Sequence, residues 1–279
     1  MSVKIIVDST VDMCADIKSQ VTTVPLTVHF GEEEYLDGVT INHRQFYEKL
    51  LDCKTLPTTS QATPATFAKT FEAITAAGDS AVLITLSSKL SGTYQSAVIA
   101  AEDFDNIYVV DSTNVTISAG VLAEYALRCA NNGMSAKEIA QALEEKKGSI
   151  CLIAMLDTLE FLKRGGRISA TAALAGSLLN IKPIISIQDG EVVMLGKARG
   201  SKQGSSLLAQ EVSKTGGIDF DMPVLLGYTG LSDELVGKHL IENTALWGGT
   251  APELPCTSIG SVVGTHAGPG GVAVAFFKK

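Results

Sequence analysis

The feature that most constrains the fold is a repeated unit in which a short apolar strand runs into Asp-Ser-Thr. Lys4-Ile5-Ile6-Val7 ends in Asp8-Ser9-Thr10, and Ile107-Tyr108-Val109-Val110 ends in Asp111-Ser112-Thr113. Between them, Ala81-Val82-Leu83-Ile84-Thr85-Leu86 runs into the polar stretch Ser87 to Ser96. Parallel strands are buried on both faces and read as continuous apolar runs, and their C-terminal ends share one edge. Three such runs, each followed by a polar junction, therefore predict a parallel sheet, and ligands of open α/β sheets bind along that edge. Asp8 and Asp111 stand there as caps and turn formers or as groups that face a ligand.

The third junction, Ser87-Ser88-Lys89-Leu90-Ser91-Gly92-Thr93-Tyr94-Gln95-Ser96, precedes a helix continuing through Ala97 to Ala101. The first N–H groups of a helix lack internal partners and its dipole favours negative charge, so Ser91, Gly92 and Thr93 could cradle a phosphate or carboxylate. Ser91 equally suits a plain N-cap. A second hydroxyl cluster, Leu56-Pro57-Thr58-Thr59-Ser60-Gln61-Ala62-Thr63-Pro64, reads as an extended loop, with Pro64 in the first turn of the next helix.

Val21 to Phe30 is expected as one strand, and Asn42 to Leu51 as an amphipathic helix capped by Asn42. Helices follow over Thr116 to Asn132 and Ser135 to Lys147, the latter with the capping-box spacing of Ser135 and Glu138. Ser149 to Leu156 is a strand leading into a second domain, followed by a short helix stopped at Gly165-Gly166 and a small-residue helix over 170–179. Gln188-Asp189-Gly190 between Ile181–Ile187 and Glu191–Leu195 signals a hairpin, hence antiparallel pairing. Gly196 to Lys202 gathers positive charge at the start of a helix over Ser205 to Lys214, as a solvated turn or an anion contact. A strand over Met222 to Tyr228 and a helix over Asp233 to Glu242 precede the close, where His266 stands in a glycine-rich loop entering a final strand. The expected fold is α/β: two α/β domains, residues 1–150 with a mostly parallel sheet and residues 151–279 with a mixed or antiparallel one.

Composition narrows the function. A net charge of -8 with 6% aromatic residues opposes nucleic acid, since a polyanion is repelled and no stacking platform is present. No apolar run approaches the roughly 20 residues of a membrane span, so no integral membrane segment is expected. The five scattered cysteines form no Cys-x-x-Cys pair and the four histidines have no ligand spacing, which predicts reduced thiols, a cytoplasmic setting and no metal. Neither a Walker-type loop nor a Gly-x-Ser-x-Gly elbow occurs, and Gly-x-Gly-x-x-Gly does not follow the first strand. A phosphoryl- or acyl-transfer enzyme using Asp8, with a phosphate cradle at Ser91 to Thr93, is the remaining catalytic alternative.

Several segments taken together resemble the DegV family, bacterial fatty-acid-binding proteins that serve as lipid-carrying subunits of a fatty acid kinase system. They are Val7-Asp8-Ser9-Thr10, Thr59-Ser60-Gln61, Leu90 to Ser96, Asp111-Ser112, Leu159 to Ile168, Leu179 to Pro183 and Gly264-Thr265-His266-Ala267-Gly268-Pro269-Gly270, in that order along the chain. Where relatives often carry proline, Ala62 follows Gln61. The resemblance implies one long-chain fatty acid held between two domains, with its carboxylate near Thr59, Ser60, Ser91, Gly92, Thr93 and His266. It also implies a separate kinase subunit that phosphorylates the carboxylate to an acyl-phosphate, with Arg167 and Arg199 near the phosphoryl group or the kinase. The chain itself would be non-catalytic and need no cofactor beyond the bound lipid. Burying about fourteen methylenes at about 0.8 kcal/mol each yields on the order of 11 kcal/mol gross, before association costs. The tail thus supplies the affinity, and the head group needs donors such as Thr59, Ser91, helix N–H groups and a protonated His266, because a buried unpaired carboxylate is very unfavourable.

Overall fold

The structure, a computed structural model, describes residues 2–168, 180–247 and 253–279. In chain order the elements are β1 Val3–Asp8, α1 Ala15–Lys18, β2 Thr22–Val24, β3 Thr27–Phe30, β4 Glu33–Leu36, α2 His43–Asp52, β5 Thr58–Ser60, α3 Pro64–Ala76, β6 Ser80–Thr85, α4 Thr93–Ala101 and β7 Ile107–Asp111. There follow α5 Thr116–Asn131, α6 Ala136–Lys146, β8 Ile150–Met155, α7 Glu160–Arg164, β9 Ile181–Gln188, β10 Glu191–Arg199, α8 Gly200–Lys214, β11 Val224–Tyr228, α9 Glu234–Glu242, β12 Cys256–Ser258, α10 Ser261–Ala267 and β13 Val272–Phe277. The helix expected over 170–179 lies outside the described residues.

The fold is α/β with a parallel and a mixed sheet, as the strand patterns predict, and a small third sheet of three strands. The first sheet has the order β2-β1-β6-β7 and is parallel throughout. Its alternation divides two cores: Ile5, Val7, Val82 and Ile84 face α5, while Ile6, Ala81 and Leu83 pack with Phe46, Phe67 and Phe71 beneath α2 and α3. The second sheet has the order β10-β9-β8-β13-β11-β12, antiparallel except for β11 with β12. Its hairpin turns at Asp189 (φ 50°) and Gly190 (φ 83°), the positive angles that a two-residue connection between twisted strands demands.

Helix α5 joins the halves. Eleven of its sixteen residues are buried, and it packs against strands of both sheets. A helix apolar on so many sides can only sit inside a protein. The second sheet also alternates: Leu152, Ala154, Ile185 and Ile187 point toward α5 and the parallel sheet, whereas Ile153, Met155 and Ile184 pack under Leu208 and Val212 of α8.

Three elements depart from the sequence reading. Val21 to Phe30 is two strands in two sheets, because Pro25 lacks the N–H that a continuous ladder would use and the chain turns there. The expected loop around Thr59 contains β5, paired with β3 in a three-stranded antiparallel sheet β4-β3-β5. The glycine-rich segment before the last strand forms α10, with His266 in its final turn and Gly268 (φ 71°) ending it. A smaller shift occurs at the next helix, which begins at Gly200, five residues before the expected Ser205, so that Arg199 both ends β10 in register with Ile181 and is the N-cap of α8.

Candidate functional site

The two repeated aspartates shape the polar edge. Asp8 Oδ1 accepts from the Thr10 N–H (2.9 Å) and hydroxyl (2.6 Å), and Oδ2 accepts from the Leu86 N–H (2.7 Å). Asp111 accepts from the Ser88 N–H (3.2 Å) and the Thr113 N–H (2.9 Å). From the flanking strands, then, both carboxylates hold the junction after β6. The Ser87 hydroxyl donates to the Gly190 carbonyl at 2.8 Å, which ties the hairpin tip of the second sheet to the same loop. Burial pushes the Asp8 carboxyl up to about 6 despite these bonds. With both oxygens accepting hydrogen bonds inside the core, Asp8 acts as a clamp on this junction.

A cavity of about 350 Å³ lies between this edge and the inner face of the second sheet. Its walls are apolar: Leu86 and Leu90 on one side, Leu152, Ala154, Ile185 and Ile187 on the other. Its polar groups include Thr59, Gln61, Ser91, Arg167 and His266. Thr59 Oγ1 and His266 Nε2 are 2.9 Å apart, joining β5 to α10. His266 Nδ1 is buried without a hydrogen-bond partner among the described residues, and a Cβ on Gly165 would collide with it, so only glycine fits against that ring edge. Burial, and then the Arg167 guanidinium, push the His266 imidazole down to about 4. With no carboxylate opposite it, the ring is therefore neutral at neutral pH.

The other predicted site residues fall in different places. Ser91 lines the cavity; its Oγ accepts from the Thr93 N–H (3.3 Å) and stands 2.9 Å from Thr93 Oγ1. The N-cap residue is Gly92 instead, so Ser91 bonds the helix start from one position outside. Thr93 is fully buried behind it. Ser60 borders the cavity, but strand alternation turns its hydroxyl away from Thr59, to 2.8 Å from His29 Nε2. Arg167 Nε donates to the Leu90 carbonyl (3.2 Å) and Nη1 to the Gly165 carbonyl (2.6 Å), holding the α7 loop at the mouth. Arg199 is exposed at the end of β10 and does not line the cavity.

Sequence reasoning missed Gln61 as a site residue, although it stands in the quoted Thr59-Ser60-Gln61 motif. Its amide donates to Ser96 Oγ (2.7 Å), and its carbonyl occupies the space that a Cβ on Gly92 would need. It also missed Thr10, although Thr10 closes the first Asp-Ser-Thr unit, and Thr116 and Thr229, whose hydroxyls carry no local motif. Among the described residues no three His, Cys, Asp or Glu side chains converge as a metal site, and no helix is long and apolar enough to cross a membrane.

An apolar chamber of ligand-pocket size with a few converging polar groups is the form taken by sites for small molecules. The class is that of α/β proteins with such a chamber between a parallel and a mixed sheet, and the chain belongs to the DegV family, whose model matches residues 2–279. A DegV domain-containing protein of Caldanaerobacter subterraneus subsp. tengcongensis is 37% identical over 282 residues, covering 99% of each chain. Among solved structures, a fatty-acid-binding DegV family protein from Thermus thermophilus superposes with a TM-score of 0.88 at 30% identity over the whole of both chains. A stearic-acid-binding protein from Eubacterium ventriosum superposes at 0.86 with 29% identity, covering 100% of this chain and 99% of the other.

Proposed function

We propose that this chain binds one long-chain fatty acid, the tail along the walls formed by Leu152, Ala154, Ile185 and Ile187 and the carboxylate among Thr59, Ser91 and His266. The observation that carries the reading is the pairing of one apolar cavity with a hydroxyl and imidazole cluster. Fatty acid binding by relatives of the same fold supports it. A neutral His266 suits the role: an imidazole pressed down by burial takes up a proton when a carboxylate arrives, because an opposite charge favours the charged form. Ser91, Gly92 and the start of α4 add hydroxyl and N–H donors.

In the same reading the chain is a cytoplasmic carrier that performs no chemistry itself. It presents the carboxylate to a separate kinase subunit, which forms the acyl-phosphate, with Arg167 nearest the reacting group and Arg199 at the kinase contact. Residues 1–150 and 151–279 act as two domains that close over the lipid. Solvent extraction of the purified protein followed by mass spectrometry tests the binding step. One fatty acid per chain, native or after incubation with palmitate or oleate, is expected; none under either condition sinks the reading. The kinase step is tested by hydroxylamine trapping of acyl-phosphate: product is expected only when ATP and a kinase-containing extract are both present, and product from the purified chain with ATP alone contradicts the carrier role.

A further inference from the structure

Two buried carboxylates, Asp12 and Asp37, lie outside the roles given so far. Both belong to the first forty residues, and both accept from backbone N–H groups of a segment more than 220 positions away. Gly260 N–H donates to Asp12 Oδ1 (2.9 Å), Ser261 N–H to Asp37 Oδ1 (3.0 Å) and Val262 N–H to Asp37 Oδ2 (3.4 Å). These are three consecutive donors at the start of α10, the helix that carries His266. A seven-residue helix is too short to hold itself together, so its placement is set by what anchors it. The two acids crowd one point: a Cβ on Gly260 would stand 3.1 Å from Asp12 Oδ1 and 3.4 Å from Asp37 Oδ2.

A second observation ties the anchor to the cavity. Asp12 Oδ2 accepts from the Thr116 hydroxyl at 2.6 Å, and Thr116 lines the cavity. Thr116 has φ 53°, the left-handed region that a β-branched residue adopts only when its surroundings impose it. Asp12 thus grips a strained wall residue with one oxygen and the base of the His266 helix with the other. Capping alone needs one Ser or Asn; two neighbouring buried acids, each raised by burial, are a demanding substitute.

We propose that Asp12 and Asp37 are positioning residues for His266: through the N–H groups of Gly260, Ser261 and Val262 they fix α10 so that the His266 ring meets Thr59, and Thr116 links that placement to the cavity wall. Neither acid touches the ligand. The head-group consequence rests on the function proposed above, whereas the placement of the ring does not.

The test uses two variants of the full chain. Asp37→Asn removes charge with little change of shape, and Gly260→Ala keeps every charge but pushes the carboxylates apart. Ring 15N resonances of His266 are read in the lipid-free protein, assigned by their loss in His266→Ala, and Kd is measured for palmitate and for hexadecanol. Both variants are expected to shift the His266 resonances, leave those of His239 in place, and lower the preference for palmitate over hexadecanol at least 5-fold, with the hexadecanol Kd within 2-fold of the parent. Unmoved His266 resonances overturn the proposal, as does an equal loss of both ligands, which is the signature of general loosening. If Asp37→Asn does not fold, Gly260→Ala decides alone. A parent protein with no preference for palmitate defeats the fatty acid reading, and the ring resonances still decide the positioning.

Discussion

His266 and His239 are near twins in their bonding and opposites in their surroundings. Each ring has a hydroxyl within hydrogen-bond distance, Thr59 for His266 (2.9 Å) and Ser205 for His239 (2.8 Å). Each keeps one buried nitrogen without a partner among the described residues, and burial pushes each down to about 4. Around His239 the space is filled: Asn243 donates to Ser205 Oγ (2.8 Å), and the Trp247 ring stands edge-on at 6.1 Å. Around His266 there is an apolar cavity, and the Arg167 guanidinium adds to the depression of the ring. A buried histidine with a hydroxyl partner does not define a site. The adjoining void and cation do.

The strongest way to break this contrast is to fill the void. Ala154→Phe places a ring in the cavity wall and should displace several methylenes of the tail. At about 0.8 kcal/mol per methylene, losing four lowers palmitate affinity on the order of 100-fold. Isothermal titration against the parent checks this, and binding within 3-fold would place the tail elsewhere.

Exchanging the two histidines for alanine sharpens the contrast. His239→Ala leaves a hole among packed side chains and should lower unfolding free energy by about 2–4 kcal/mol in urea denaturation, with palmitate affinity within 2-fold. His266→Ala, beside existing empty space, should cost less than about 1 kcal/mol of stability while weakening palmitate about 3- to 10-fold. A reversed pattern would mean that His239, and not His266, belongs to the site.

A smaller effect separates acids from histidines. The folded protein holds protons on Asp8 up to about 6 and on Asp12 up to about 7, whereas the unfolded chain releases them near pH 4. Between those values the folded state binds more protons, so the carboxyl contribution to stability rises as pH falls from 8 toward 6.5. From about pH 7.5 downward the two histidines oppose this, since the unfolded chain protonates them around 6.5 and the folded one only near 4. Between pH 8 and 6.5 the carboxyl and histidine contributions are of similar size and opposite sign, so the parent Tm should change little, whereas Asp12→Asn, which removes only the carboxyl part, should have a lower Tm at pH 6.5 than at pH 8. An unchanged slope in that variant would remove Asp12 as the source of the carboxyl part.

Much of the frame is legible in the chain itself. Continuous apolar runs before Asp8 and Asp111 mark parallel strands, and Asp189-Gly190 marks the hairpin, because periodicity and turn chemistry are local. β5 is less visible: Thr58 to Ser60 is polar and becomes a strand only because β3 offers a free edge. Glycine and β-branched residues in Ser261 to Ala267 argue against a helix, and α10 forms because Asp12 and Asp37 receive its first N–H groups. Those partners are separated by more than 220 positions, so no window of sequence contains the reason. The cavity is hidden for a related cause: Leu152, Ala154, Ile185 and Ile187 have the pattern of an ordinary core face, and only the distance between two sheets leaves them lining empty space.

The central claim, one fatty acid with its carboxylate at His266, is tested most directly by adding [1-13C]palmitate to lipid-free protein and following the carboxyl resonance. A single bound resonance is expected, saturating at one equivalent and moving to a new position in His266→Ala. No bound resonance, or one identical in both proteins, would contradict it.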